Sequence, residues 1–228
     1  MKTKIIATIG PASDNLKTLR EFSKEGVNIL RLNTKYVSLK EFKKLEEKIR
    51  RFKNFKIMVD IKNRKLLEDF KKEKIDYLAI SFAEKESEIK KIQSGLPKRI
   101  KIISKIETRK GIENIDKLIK VSEGIMIARG DLGKNISFEK VPMVQKLITK
   151  KCNLKNKMSI TATEIMPSMI NYLRPSRAEV SDIANAILEG SEGLMLSEET
   201  AIGKHPVLVI KNLKKIIKET EKNQRKLR

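Results

Sequence analysis

The sequence predicts an α/β fold, a single-domain (β/α)8 TIM barrel over residues 1–228, and three observations predict it. Eight short, near-continuously apolar, β-branched-rich runs recur along the chain, starting roughly 20–36 residues apart. Helical patterns lie between them. No linker, low-complexity segment or Pro/Gly-rich hinge divides the chain. Runs of that kind are expected of strands buried on both faces. A doubly wound open sheet would rarely use eight parallel units in so few residues.

The elements follow in order. Lys4–Ile9 reads as the first strand. Leu16, Leu19, Phe22 and Ser23 then share one helical face, with Ser13 or Asp14 able to cap it. Val27–Leu32 is the second strand, and Leu39, Phe42, Leu45, Ile49 and Phe52 form the next helical stripe. The remaining strands are expected at Lys56–Ile61, Tyr77–Phe82, Ile100–Ile106, Gly124–Ala128, Met158–Thr163 and Gly193–Ser197. Val207, Ile210, Leu213, Ile216 and Ile217 complete a last helix.

Composition narrows the function classes. With no Trp and 4% aromatics the core must be aliphatic, and 39% hydrophobic residues argue for a folded domain. One cysteine, Cys152, excludes a disulfide scaffold and a Cys-rich zinc site. One histidine, His205, excludes a His-cluster metal centre. Cys152 is expected in the core and His205 at the surface. The apolar runs are too short for a membrane span, and the N-terminus reads directly as a strand. The cytoplasm is the expected compartment. The net charge of +22 suggests a nucleic-acid or anionic partner. However, the lysine runs alternate with Glu along nearly every helix, as on solvated outer faces. No aromatic stacking platform or nucleic-acid motif accompanies them, so a nucleic-acid partner is not expected.

In a barrel, chemistry sits at the C-terminal ends of the strands. The polar residues there are Arg31, Asn33, Asp60, Ser81, Lys105, Glu107, Arg129, Asp131, Thr163, Ser197 and Glu199. Glu107 and Asp131 offer two hard oxygen ligands at neighbouring strand ends, an arrangement suited to Mg2+ or Mn2+ completed by water and substrate oxygens. The alternative is a salt-bridged pair with Arg129 or Lys105. Lys105 lies two residues before Glu107, so both share a face. Beside a divalent cation, its ammonium can stabilise an enolate and neutralise a transferring phosphoryl group. Gly130-Asp131-Leu132-Gly133 looks like a turn opening into a helix, whose amides can hold a carboxylate. The Arg31 fork suits a pair of phosphoryl oxygens and reads equally well as a salt-bridge partner.

Longer motifs carry a resemblance. They are Thr3–Ser13, Ile103-Ser104-Lys105-Ile106-Glu107, the segment Gly124–Gly133 and Ala162-Thr163-Glu164-Ile165-Met166, then Arg174–Glu179 with Ser181–Ala186, and Leu196–Ala201. Together, and in this order, they resemble the catalytic barrel of the pyruvate kinase family. The resemblance implies phosphoryl transfer from phosphoenolpyruvate to ADP, giving pyruvate and ATP in glycolysis. It implies Mg2+ or Mn2+ on Glu107 and Asp131, and the phosphoryl group on Arg31 and Lys105. The substrate carboxylate would lie on the Gly130 and Asp131 amides with Thr163, and the Thr163 and Ser197 hydroxyls near the protonated methylene carbon. Asn33 also belongs to the substrate-binding set.

Departures from the family pattern shape further expectations. Asn33-Thr34-Lys35-Tyr36 stands where the family has Asn-Phe-Ser-His, and Asp60-Ile61-Lys62-Asn63-Arg64-Lys65 where it has Asp-Thr-Lys-Gly-Pro-Glu. Two family potassium ligands are thereby lost. An ammonium from Lys35 or Lys65, beside Asn33 and Asp60, is expected to replace K+, which would then not be required. Glu164 and Glu198 add negative charge near the rim, where the family has glutamine and glycine. The family's lid domain has no room after the third strand, and its C-terminal regulatory domain is expected to be absent. Any homo-oligomer is expected as a dimer through the barrel helices. Two other functions stay open: a metal-dependent 2-oxoacid aldolase, lyase or oxaloacetate decarboxylase on the same barrel, and a non-catalytic basic binding protein.

Overall fold

A computed structural model of the chain describes residues 2–226. Eight parallel strands close into a barrel in sequence order. They are β1 (Lys4–Thr8), β2 (Ile29–Asn33), β3 (Lys56–Ile61), β4 (Tyr77–Ile80), β5 (Lys101–Ile106), β6 (Gly124–Ala128), β7 (Met158–Ala162) and β8 (Gly193–Leu196). Ile6 of β1 is in register with Ile29 of β2 on one side and Met195 of β8 on the other, which closes the ring. The helices are α1 (Leu16–Glu25), α2 (Leu39–Ile49), α3 (Leu67–Lys71), α4 (Glu86–Ser94), α5 (Arg109–Glu113), α6 (Ile115–Val121), α7 (Arg129–Asn135), α8 (Val141–Leu154), α9 (Arg177–Leu188), α10 (Glu198–Ala201) and α11 (Pro206–Asn223). Among the described residues no helix is long and apolar enough to cross a membrane.

Alternation along the strands builds two apolar layers. Ile5, Leu30, Ile57, Val59, Ile102 and Ile127 face outward and pack under the helices with Leu19, Phe22, Phe42 and Ile210. Ile6, Ile29, Met58, Ala79, Ile103, Met126, Ile160 and Met195 fill the barrel interior. Both layers are almost wholly aliphatic, as the composition requires. Gly193 keeps the interior open for its neighbours. A Cβ there would stand 3.2 Å from the Ile6 side chain and 3.3 Å from that of Ile160.

Helix ends follow local chemistry. Ser38 and Glu41 form a capping box at α2, and Ser176 and Glu179 form another at α9. The cap of α1 differs from the expected Ser13 or Asp14. Asn15 fills it, its side chain accepting from Thr18 N at 2.9 Å, because Ser13 is buried in a turn with Gly10. Four strands, β1, β4, β7 and β8, end before their expected last residues, and at two of them the backbone turns left-handed. Phe82 and Thr163 adopt positive φ, +51° and +68°, and so leave the sheet. Cys152 lies in the core, as expected. The outer faces carry ion pairs one helical turn apart, such as Lys90–Glu86 and Lys71–Glu68, which are exposed and individually contribute little stability.

The connections position the rim. Between β3 and β4 the chain makes one 3-10 turn, Arg64–Leu66, then α3, with no inserted domain. Between β5 and β6 it makes α5 and α6, and after β6 it enters α7 directly.

Candidate active site

The polar cluster at the C-terminal rim continues the inward-facing layers. Thr8 lies two residues beyond Ile6, Arg31 beyond Ile29, Asp60 beyond Met58, Ser81 beyond Ala79 and Lys105 beyond Ile103. Since side chains alternate along a strand, each points to the same face as its apolar predecessor. The apolar interior thus ends upward in a charged layer, and all five residues are buried.

Asp60 organises that layer. Its Oδ2 accepts from Arg31 Nε at 2.9 Å and Nη2 at 2.7 Å. Its Oδ1 accepts from Lys105 Nζ at 3.1 Å and from Ser81 Oγ at 3.4 Å. Arg31 Nη1 donates to Thr8 Oγ1 at 3.0 Å, and Thr8 Oγ1 donates to the Leu196 carbonyl at 2.8 Å, tying β2 to the β1–β8 seam. Lys105 Nζ also donates to Ser81 Oγ at 2.9 Å and pairs with Glu107 Oε1 at 3.0 Å. Two cations and two carboxylates share this buried space. Burial pushes the Asp60 carboxyl up, but the Arg31 and Lys105 charges outweigh it and hold the group below the ordinary carboxylate range.

Glu107 is 1% exposed, and its second oxygen accepts from Phe82 N at 2.6 Å. Its ion pair with Lys105 matches the salt-bridge alternative of the sequence. Asp131 lies in α7 at the end of the adjacent strand. It is half exposed and pairs with Lys134 at 3.2 Å, whereas Glu107 is buried and pairs with Lys105. No group of three or more His, Cys, Asp or Glu gathers among the described residues. Two hard carboxylates without a protein cage fit Mg2+ or Mn2+, which keep several waters and take one or two protein carboxylates.

At β7 the chain turns through two left-handed residues, Thr163 and Glu164. Arg129 holds this turn, donating to the Thr163 carbonyl at 2.9 Å and the Glu164 carbonyl at 2.7 Å while pairing with Asp182 at 2.6 Å. Thr163 Oγ1 accepts from Gly130 N at 2.8 Å, so the hydroxyl already engages one of the expected carboxylate-binding amides. The Ser197 Oγ is buried with no hydrogen-bond partner among the described residues, while its backbone N–H donates to Glu199 Oε2 at 2.6 Å. Buried Glu199 also accepts from Met166 N at 3.0 Å, joining the β7 and β8 loops.

The expected cation-replacement set is only partly brought together. Asn33 Oδ1 accepts from the Lys35 backbone N–H at 3.1 Å. The Lys35 ammonium lies 5.1 Å from the Tyr36 ring centre, and Tyr36 together with the charge of Asp131 raises its pKa. Lys65 is exposed in the 3-10 turn after β3. Neither ammonium is among the groups that bond Asp60. Arg31 and Lys105 hold its carboxylate instead. The sequence reading does not single out Thr8 or Arg64. The two-residue spacing from Ile6 is the signal that finds Thr8, whereas Arg64 shows in the sequence only as part of a departure from the family pattern, with no role attached. A cleft of about 720 Å³ opens beside the site, between α7, α8 and α9, lined by Arg129, Gly130, Phe138, Gln145 and Asp182 but not by Arg31 or Lys105.

Comparison with known proteins identifies the family of the barrel. The sequence model of the pyruvate kinase barrel domain matches residues 1–66 and 56–210. A pyruvate kinase of Thermotoga maritima is 49% identical over 151 residues, covering 65% of this chain and 32% of that protein. Pyruvate kinase of Clostridium acetobutylicum is 46% identical over 154 residues, covering 66% and 33%. Pyruvate kinase of Borreliella burgdorferi is 44% identical over 169 residues, covering 72% and 35%. The matched segment spans about a third of the length of these relatives.

Proposed function

The chain belongs to the pyruvate kinase family, to its barrel domain, and from that premise we propose that it transfers the phosphoryl group of phosphoenolpyruvate to ADP. One observation carries the reading. Arg31 and Lys105 sit on opposite oxygens of one buried carboxylate, so two fixed cations converge at the ends of β2 and β5. Such a pair suits the oxygens of a transferring phosphoryl group, whose catalysis is mostly positioning and charge stabilisation.

The roles follow from placement. Arg31 presents its fork to the phosphoryl oxygens, and Asp60 and Thr8 keep its guanidinium in one orientation. Lys105, oriented by Asp60 and Ser81, lies where charge develops as the bond between phosphorus and the enol oxygen breaks and the bond to the ADP oxygen forms. The Gly130 and Asp131 amides bind the substrate carboxylate together with Thr163, which exchanges its bond to Gly130 for one to substrate. Glu107 and Asp131 would hold Mg2+ or Mn2+, which supplies positive charge to the phosphoryl and enolate oxygens. The unpartnered Ser197 hydroxyl, with Thr163, hydrogen-bonds the water that delivers a proton to the methylene carbon. Ordered water is needed there because a hydroxyl alone is a weak acid.

The test is ATP formation from phosphoenolpyruvate and ADP with Mg2+, in wild type and Lys105→Ala. Turnover in the wild type that falls to background in the variant is expected. Equal signals in both would reject the reading. The short β3–β4 connection favours one second reading, since it leaves the mouth without an inserted domain to enclose a nucleotide. A metal-dependent 2-oxoacid lyase or decarboxylase needs Lys105 and the carboxylates but no nucleotide. Pyruvate released from oxaloacetate, without ATP formation from phosphoenolpyruvate, would favour it.

A further inference from the structure

The turn at Phe82 is held from two sides, by Glu107 and by Arg64, which has no assigned part. Phe82 is a bulky residue at φ +51°, a conformation that is strained for a non-glycine residue. Its neighbours, beyond the end of β4, bond to backbone on either side: Ser81 N donates to the Ile61 carbonyl at 3.1 Å and Ala83 N to the Lys105 carbonyl at 3.2 Å. Between them Phe82 N donates to a side chain, Glu107 Oε2, at 2.6 Å. The other end of the same peptide unit is the Ser81 carbonyl. It accepts from Arg64 Nη2 at 2.6 Å, while Arg64 Nη1 reaches the Ile61 carbonyl at 3.4 Å and Nε pairs with Glu88 at 2.9 Å. From the same connection, the Lys62 ammonium lies 5.2 Å from the Phe82 ring centre.

We propose that Arg64 is a positioning residue: it clamps the Ser81–Phe82 peptide in its left-handed turn, so that the Phe82 N–H fixes Glu107 and the Ser81 hydroxyl fixes Lys105. The physical case is direct. A strained turn persists only where surrounding bonds over-determine it. The peptide oxygen is held by a guanidinium and its N–H by a carboxylate, so each bond polarises the group that makes the other. A side chain three residues past the end of β3, in a short connection, thereby orients two rim groups without touching substrate. Lys62, resting on the Phe82 ring, restrains the same turn. The catalytic consequence rests on the proposed phosphoryl-transfer site, whereas the clamp itself does not.

The experiment separates the two. Selective 15N-phenylalanine labelling gives one amide signal for each of the seven phenylalanines, with Phe82 assigned through Phe82→Tyr. A short bond to a carboxylate places the Phe82 amide proton downfield. Arg64→Ala is expected to move it upfield, whereas Glu88→Gln, which removes only the exposed ion pair, leaves it in place. Mn2+ binding, read by electron paramagnetic resonance, should weaken about tenfold in Arg64→Ala and not in Glu88→Gln. An unmoved Phe82 amide in Arg64→Ala overturns the clamp. A moved amide with Mn2+ affinity within about twofold of wild type overturns the positioning role. Wild type that binds no Mn2+ would refute the metal-site reading, and the amide shift would still decide whether Arg64 holds the turn.

Discussion

Arg31 grips Asp60 through one oxygen, Oδ2, with two nitrogens at 2.9 and 2.7 Å, and leaves Oδ1 to Lys105. That division makes Asp60 the hinge of the site. Removing its charge leaves buried Arg31 without a counter-charge among the described residues and leaves Lys105 with Glu107 alone. Asp60→Asn is therefore expected to lose about 3 kcal/mol of stability, measured by urea unfolding at pH 7. A loss within experimental error of zero would show that the cations find other partners.

Acid dependence follows from the same group. The folded Asp60 carboxyl is depressed below its ordinary value of 3.8, so the unfolded chain takes up its proton first as pH falls. Its stabilising contribution is complete above about pH 4 and is lost as pH drops through the folded value. Unfolding free energy in wild type should decline more steeply below about pH 4 than in Asp60→Asn. Parallel curves would refute the assignment.

Arg31→Lys keeps the charge but not the fork. A lysine cannot bond Asp60 twice and reach Thr8 at once. ATP formation should fall by at least about tenfold, the equivalent of one charge-assisted hydrogen bond, as read from kcat/KM. Unchanged turnover would mean that charge alone matters at this position.

Thr163→Val preserves shape and β-branching in a left-handed residue but removes the acceptor for Gly130 N. The expected outcome is a higher KM for phosphoenolpyruvate and a stability loss of about 1 kcal/mol. If KM stays at the wild-type value, the hydroxyl has no part in holding the carboxylate.

Monovalent cations offer another check. Asp60 is already held by Arg31 and Lys105. ATP formation is expected to be equal in K+ and in tetramethylammonium. Stimulation by K+ would show that the ion keeps its place despite Lys35 and Lys65.

Burial pushes the Cys152 thiol up to about 12. Native protein should not react with a thiol reagent at pH 8, and labelling should track unfolding. Because the unfolded thiol ionises nearer its ordinary 9.0, stability should fall as pH rises above that value. Fast labelling of the native protein would place the thiol outside the core.

Much of the fold is legible in the sequence because buried parallel strands are written as continuous apolar runs. Lys56–Ile61 and Gly124–Ala128 coincide with β3 and β6 residue for residue. Other strand bounds shift by one or two residues, and two of the misses, Phe82 and Thr163, have side chains that suit a strand but a backbone that turns left-handed. That conformation is imposed by Glu107 and Arg64 on one turn and by Arg129 on the other, through bonds that span 17 to 34 residues of chain. Local propensity carries no trace of them.

The candidate site divides in the same way. Residue types at strand ends determined by themselves that Arg31, Lys105, Glu107, Asp131 and Thr163 belong to one rim, because strand order and period-two alternation fix that placement. Only the tertiary structure decided their pairing. It gave Asp60 to Arg31 and Lys105 rather than to an ammonium from Lys35 or Lys65, and it brought Thr8, Ser81 and Arg64 into the network. The reason is physical. Closing the barrel buries these charges together, and each must then find a counter-charge or hydrogen-bond partner among whatever neighbours the closure supplies.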